Sequence, residues 1–150
     1  MKPIDVKKMR NMVGLTAAQA AALVGLADVH AWQRYEFEGE HARAIPAPTE
    51  RLFKLSVFGL PKILEAISVA AVLHKGQKRK GPRKDPYIVH PLAVARHLVI
   101  LGLVTDPDVI AAAILHDVLE DGDVDAGSLA AAFGSRIAKL VQEVTQTAQG

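Results

Sequence analysis

The chain has 150 residues, half of them hydrophobic, a formal net charge of +2 and no cysteine. That length fits one medium domain or two small ones, and the apolar content rules out a wholly disordered chain. The lack of cysteine excludes disulfide scaffolds, thiolate zinc sites and cysteine nucleophiles together. No apolar run approaches the roughly 18–20 residues that span a bilayer. The start MKPIDVKKMR leads into no signal-peptide core, so the expectation is a cytoplasmic protein without a membrane partner.

The charge is unevenly placed. Residues 74–84 (HKGQKRKGPRK) carry six Lys/Arg and no acid, whereas residues 117–125 (DVLEDGDVD) carry five Asp/Glu and no base. An anion held beside a metal ion would use such a pair of loops, and two ordinary solvated loops would also show it.

Apolar residues recur at three and four, without sustained alternation, so the predicted fold is all-α. A first helix is expected from Val6 to Val13, stopped by Gly14. Thr16 and Gln19 form a T-x-x-Q capping box that opens a second helix ending at Gly25. A third covers Val29–Glu36, with Trp32 and Tyr35 facing inward. Gly39–Pro48 is loop, and Thr49–Phe58 is helix with Leu52, Phe53, Leu55 and Phe58 as its apolar set. Gly59–Pro61 is the domain boundary, dividing the chain into 1–60 and 61–150. A helix then runs to about His74, burying Ile63, Leu64, Ile67, Ala70, Ala71 and Leu73. A basic loop of about fifteen residues follows, long enough to suggest function. Further helices are expected at Pro91–Leu101, Pro107–Leu119, Ser128–Phe133 and Ser135–Thr147, with Asp106 and Asp108 at a helix start and Val141–Val144 in the core.

Two short helices joined by a glycine turn make a helix-turn-helix. Ala20 and Ala21 are small where the helices would cross. Asp28, His30, Gln33 and Arg34 are polar candidates on the outer face of the third helix, and His30, Gln33 and Arg34 are the residues expected to contact DNA. The net charge of residues 1–60 is only +2 (eight Lys/Arg against six Asp/Glu), so a small docking or dimerisation module fits as well. GLTAAQAAALVGL, WQRYE and IPAPTERLFKL resemble the repressor-like helix-turn-helix family over residues 4–58, which implies a DNA partner for residues 1–60.

The sharpest chemical motif is ILHDVLEDGD, Ile114–Asp123. On a helix, His116 would share a face with Glu120, and Asp117 with Asp121. An imidazole next to a carboxylate suits manganese, iron or zinc. His74, at the end of its own helix, is a candidate third ligand. A helix-end capping cluster and a satisfied core histidine would leave the same pattern.

The run HKGQKRKGPRKDPYIVHPLAVA, followed by ILHDVLEDGD, FGSRIAKLV and EVTQ, resembles the HD-type alarmone hydrolase domain of RelA/SpoT proteins and the small stand-alone alarmone hydrolases, over about residues 63–146. The resemblance implies metal ligation by His74, His116 and Asp117, with Mn2+ as cofactor. It implies that Glu120 and Asp121 activate or orient the attacking water, and that Arg79 and Lys80 bind substrate. Tyr87 and His90, in PYIVHP, are read as positioning the loop. The implied reaction is hydrolysis of the 3′-pyrophosphate of ppGpp or pppGpp to GDP or GTP and pyrophosphate.

In that family a further aspartate ligand lies on a later helix, with no counterpart before Gly150. The expectation is therefore the amino-terminal part of an HD domain: a fragment, an incomplete metal site, or a site that another chain completes, with homo-oligomer formation as one outcome. The competing reading is a DNA-binding regulator or antitoxin-like adaptor with an inactive HD remnant.

Overall fold

A computed structural model of the protein describes residues 2–120 and 124–148. Among the described residues the regular structure is helical, with one isolated antiparallel bridge, Lys78 to Pro86. The chain divides into two compact units, Met1–Phe58 and Gly59–Gly150.

The first unit holds α1 (Pro3–Met12), α2 (Ala17–Leu23), α3 (Val29–Glu36) and α4 (Ala47–Lys54). Helix α1 begins earlier than expected, because the fixed φ of Pro3 suits a first helical turn. Gln19 N donates to Thr16 Oγ1 at 3.2 Å and Thr16 N donates to Gln19 Oε1 at 2.8 Å, closing the capping box of α2. Gly25, at φ +71°, lets the chain leave α2 in the left-handed region. The core gathers Val6, Ala20, Ala21, Trp32, Ile45 and Phe53. The guanidinium of Arg10 grips the carboxylate of Glu36 at 2.6 and 3.1 Å, tying α1 to the end of α3. Phe53 is fully buried but Leu52 is 43% exposed, so only part of the expected α4 stripe faces inward.

Helical backbone runs from Ala47 to Leu73 through a π-helical turn at Leu55–Gly59. These 27 residues, with a mean hydropathy of 1.7 in their most apolar window, are long and apolar enough to cross a membrane by those two measures alone. This corrects the expectation that no such run exists. Lys62 and Glu65 hide the run when apolar residues are counted one after another, and the core helix of a soluble protein passes the same test.

The second unit contains α5 (Leu60–Leu73), α6 (Val89–Ile100), α7 (Pro107–Ile114), α8 (Ala126–Phe133) and α9 (Ser135–Ala148). Helix α7 packs against α5, α6 and α9. Its alanines explain the position: Ala111, Ala112 and Ala113 are all buried, and their small size lets three helices approach one axis. Ile114, Leu115, Leu129, Phe133, Ile137 and Val141 fill the space around them, each large side chain contributing about 1.5–3 kcal/mol on burial. Ala66 and Ala70 face this core from α5, whereas Leu64 is 65% exposed and Ala71 is also outside, a different phase from the one expected. Val144 is 50% exposed, so the buried stripe of α9 stops at Val141.

The start of α7 is fastened by charge. Asp106 caps it, accepting from Asp108 N at 2.9 Å. Arg136 of α9 bonds both Asp106 and Asp108, and Lys62 of α5 reaches Asp108 at 2.7 Å. The other end of α7 stops at Ile114, and residues 116–120 form turns. The expected helical stacking of His116 on Glu120 is therefore not how these residues are arranged.

Candidate metal centre

The end of the central alanine helix delivers His116 and Asp117 from a buried scaffold. His116 Nδ1 lies 2.9 Å from Ala113 O. A carbonyl only accepts, so Nδ1 carries a proton, and Nε2 is the nitrogen that faces Asp117 and would bind an ion on losing its own proton. His116 Nε2 is 2.9 Å from Asp117 Oδ1 and 3.2 Å from His90 Nε2. His90 Nε2 is 3.7 Å from Asp117 Oδ2. His90, His116 and Asp117 thus offer ligand atoms that all lie within 4.8 Å of one another. Ligands about 2.0–2.2 Å from a divalent ion sit roughly 3.0–3.5 Å apart in octahedral or tetrahedral geometry. Two imidazoles and a carboxylate at these separations fit such an ion.

The electrostatics couple the three groups. Burial opposes ionisation of Asp117, but hydrogen bonds from His116 and Tyr87 outweigh it and hold the carboxyl below the ordinary range. The Asp117 hydrogen bond raises His116 against the effect of burial. Burial, joined by the nearby His116, keeps His90 low.

His74 stands outside this set. It caps the end of α5 and is 5% exposed. Its Nδ1 is 2.8 Å from Gln77 Oε1, and its buried Nε2 has no hydrogen-bond partner among the described residues. Its ring packs on Tyr87 at a centroid distance of 4.8 Å; Tyr87 in turn meets His90 at 5.8 Å, and His90 meets His116 at 5.0 Å. Tyr87 Oη donates to Asp117 Oδ2 at 2.7 Å. Sequence reasoning made His74 a ligand and His90 a loop-positioning residue; among the described residues His90 lies with His116 and Asp117, while His74 packs on Tyr87 and keeps the buried, unpartnered Nε2 that a metal ligand shows with no ion bound. The signal for His90 was present in PYIVHP. That motif starts α6, so its histidine faces the end of α7, against which α6 packs.

The basic loop is pinched at its neck. Arg79 N donates to Asp85 O at 2.9 Å and Tyr87 N to Gln77 O at 3.0 Å, on either side of the Lys78–Pro86 bridge. This pairing sets Tyr87 and opens a cavity of about 350 Å³ lined by Lys78, Arg79, Lys80, Tyr87 and His90. Arg79 and Lys80 therefore line a space that shares His90 with the cluster and Tyr87 with its hydrogen-bond partners.

Glu120 is exposed in the turn, its N–H donating to Asp117 O at 3.1 Å; Asp121 lies outside the described residues. Thr145 of α9, which sequence reasoning did not single out, places its hydroxyl 3.2 Å from His116 O and 2.9 Å from Val141 O, bracing the turn. In the other unit, His30, Gln33 and Arg34 share the exposed side of α3. Asp28 is spent as the α3 cap, accepting from Ala31 N at 2.9 Å.

Residues 66–149 match the family described as HD domain. A guanosine-3′,5′-bis(diphosphate) 3′-pyrophosphohydrolase MESH1 from Danio rerio is 46% identical over 83 residues, covering 55% of this chain and 46% of the relative. The Homo sapiens MESH1 is 44% identical over 84 residues, covering 56% and 47%. A guanosine-3′,5′-bis(diphosphate) 3′-pyrophosphohydrolase from Aquifex aeolicus is 46% identical over 85 residues, covering 57% of this chain and 12% of that one. A solved structure of a metazoan orthologue of SpoT, described as hydrolysing ppGpp, superposes with a TM-score of 0.54 at 39% identity, covering 56% of this chain and 47% of its own. The chain spans about half the length of the MESH1 relatives it matches. With a helical unit, a histidine–aspartate cluster at the end of its central helix and a family match over more than half its length, the chain belongs to the HD domain family.

Proposed function

We propose that the second unit hydrolyses the 3′-pyrophosphate of ppGpp or pppGpp, releasing pyrophosphate and GDP or GTP, with Mn2+ held by His90, His116 and Asp117. The observation that carries this reading is the shared wall. The cavity lined by Lys78, Arg79 and Lys80 also touches His90 of the ligand cluster and Tyr87, which donates to Asp117, so an anion bound there lies beside the metal site. The relatives support it: those described above are named for this hydrolysis.

A bound divalent cation would supply a water of lowered pKa and offset charge on the phosphoryl group. The chain's own residues do the rest. Arg79 and Lys80 hold the pyrophosphate oxygens, since phosphoryl transfer depends mostly on positioning and charge. Tyr87 fixes the carboxylate of Asp117, and Ala113 O fixes the ring of His116. Glu120 accepts the proton of the attacking water, with Asp121 as its neighbour in sequence. The water oxygen joins the phosphorus bonded to the ribose, that P–O bond breaks, and the 3′-oxygen leaves with a proton. His74 backs Tyr87 through its ring contact.

The test is pyrophosphate release from ppGpp by the chain in the presence of Mn2+. Release that His116→Ala abolishes supports the proposal; no release by a chain that binds Mn2+ overturns it.

For the first unit we propose a DNA-binding helix-turn-helix. The capping box, the Gly25 turn and the buried Trp32 behind exposed His30, Gln33 and Arg34 favour it. A gel shift with random duplex at low salt tests it, and the lack of any shift at high protein concentration rejects it.

A further inference from the structure

Helix α9 buries Ile137, Ala138 and Val141, packing against α7 and α8. Residues four apart share a face of a helix, so the position that continues the stripe of Ile137 and Val141 is Thr145. It is half-buried, while Val144 beside it is exposed. A polar side chain therefore stands where the pattern of the helix calls for an apolar one. Valine would fill the same space with a second methyl group, so packing alone does not call for the hydroxyl.

The hydroxyl meets the turn that follows α7. That helix stops at Ile114, and the carbonyls at its end need partners from outside the helical pattern. Leu115 N donates to Ala111 O at 3.0 Å, and Ala113 O accepts from His116 Nδ1 at 2.9 Å. Within the turn, Val118 N donates to Leu115 O and Glu120 N to Asp117 O, both at 3.1 Å. Between those two carbonyls lies His116 O, which accepts from Thr145 Oγ1 at 3.2 Å. The same hydroxyl is 2.9 Å from Val141 O, the bond that a helical threonine commonly makes to the carbonyl four residues back. A hydroxyl has one proton to give, so Thr145 shares it between its own helix and the backbone of the clustered histidine.

We infer that Thr145 is a positioning residue for the metal centre. Its hydroxyl holds the backbone of His116 while Ala113 O holds the ring, and the two bonds together set where Nε2 stands relative to Asp117 and His90. The inference rests on reading that cluster as a metal centre and adds to it a residue of α9. Outer hydrogen bonds of this kind orient the groups that bind an ion and tune its affinity.

Titration calorimetry of the full chain with Mn2+, paired with melting temperatures, tests this. Thr145→Val removes the donor and keeps the shape. It is expected to lower Mn2+ affinity about tenfold while the melting temperature stays close to that of wild type. Thr145→Ser keeps the donor and loses a methyl group, so it is expected to retain the affinity and to melt lower. Affinity then follows the hydroxyl and stability follows the methyl groups, a separation that a merely structural residue does not give. Thr145→Val that binds Mn2+ as wild type does overturns the inference. Affinity losses in both variants that track their melting temperatures are the pattern of a residue that only packs, and overturn it too. No Mn2+ binding by wild type overturns the metal-centre reading itself and this inference with it.

Discussion

Tyr87 Oη donates a 2.7 Å hydrogen bond to Asp117 Oδ2, joining the neck of the basic loop to the end of the central helix. Outer partners of metal-binding side chains usually matter tenfold or more to affinity. Tyr87→Phe keeps the ring packing on His74 and His90 and removes only the hydroxyl. The expected result is Mn2+ affinity lowered by about 10–100-fold with little change in melting temperature, read by isothermal titration calorimetry. Unchanged affinity would show that the hydrogen bond does not prepare the carboxylate.

His90 and His74 can be separated by the same measurement. His90→Ala removes an atom of the ligand cluster and is expected to cost more than the roughly 100-fold upper range for an outer partner. His74→Ala acts through Tyr87 and stays within that range. If His74→Ala is the more damaging of the two, the ligand assignment is wrong.

The charge cluster at the start of α7 predicts acid sensitivity. Arg136 is the main cause of the lowered pKa of Asp106; for Asp108 burial acts the other way, and Lys62 and Arg136 outweigh it. Both folded-state values lie below the unfolded value of about 3.9. Their stabilisation is therefore present above that value and is lost as pH falls through the depressed folded values. Arg136→Ala should flatten the dependence of melting temperature on pH below about 4 and lower it only a few degrees at pH 7, since Asp106 is 41% exposed and screened by water. A wild-type melting temperature that does not fall in acid would count against the network.

Gly134 links α8 to α9 at φ +91° and ψ 156°, a region that residues with a Cβ rarely enter. Among the described residues nothing lies within 4 Å of the point where a Cβ would stand, so the penalty is purely conformational. Gly134→Ala should destabilise the fold by about 1–3 kcal/mol, measured by urea denaturation, with no clash to relieve by trimming neighbours.

Ala111 is fully buried in the helix that three others surround. Ala111→Leu is expected to cost about 1–3 kcal/mol through overpacking and to displace His116 and Asp117 as well, so that stability and Mn2+ affinity fall together. Loss of stability alone would show the site to be insulated from the helix that carries it.

How far the sequence could be read depended on whether a feature was local. The T-x-x-Q cap, Gly25 and the Val29–Glu36 helix were legible because caps and left-handed glycines act within one turn. HDVLE reads as helix in the sequence but is not one: five residues of plausible helical spacing follow AAAIL, yet the backbone leaves the helix at Ile114. The phase of α5 differs from the expected one at Leu64 and Ala71, because a helix apolar on several faces does not reveal which face its neighbours cover.

The sequence by itself determined the all-helical character, the two-part division and the chemical inventory: a His–Asp pair, a basic loop and an acidic turn. Periodicity and local hydrogen bonding act over a few residues, so these features can be read without knowing what lies across the fold. Only the tertiary structure brought His90 within 4.8 Å of the ligand atoms of His116 and Asp117. That choice depends on α6 packing against α7 and on a loop closed by the pairing of Gln77 with Tyr87. Ligand geometry is set by distances between segments far apart along the chain, and spacing within one segment does not encode it.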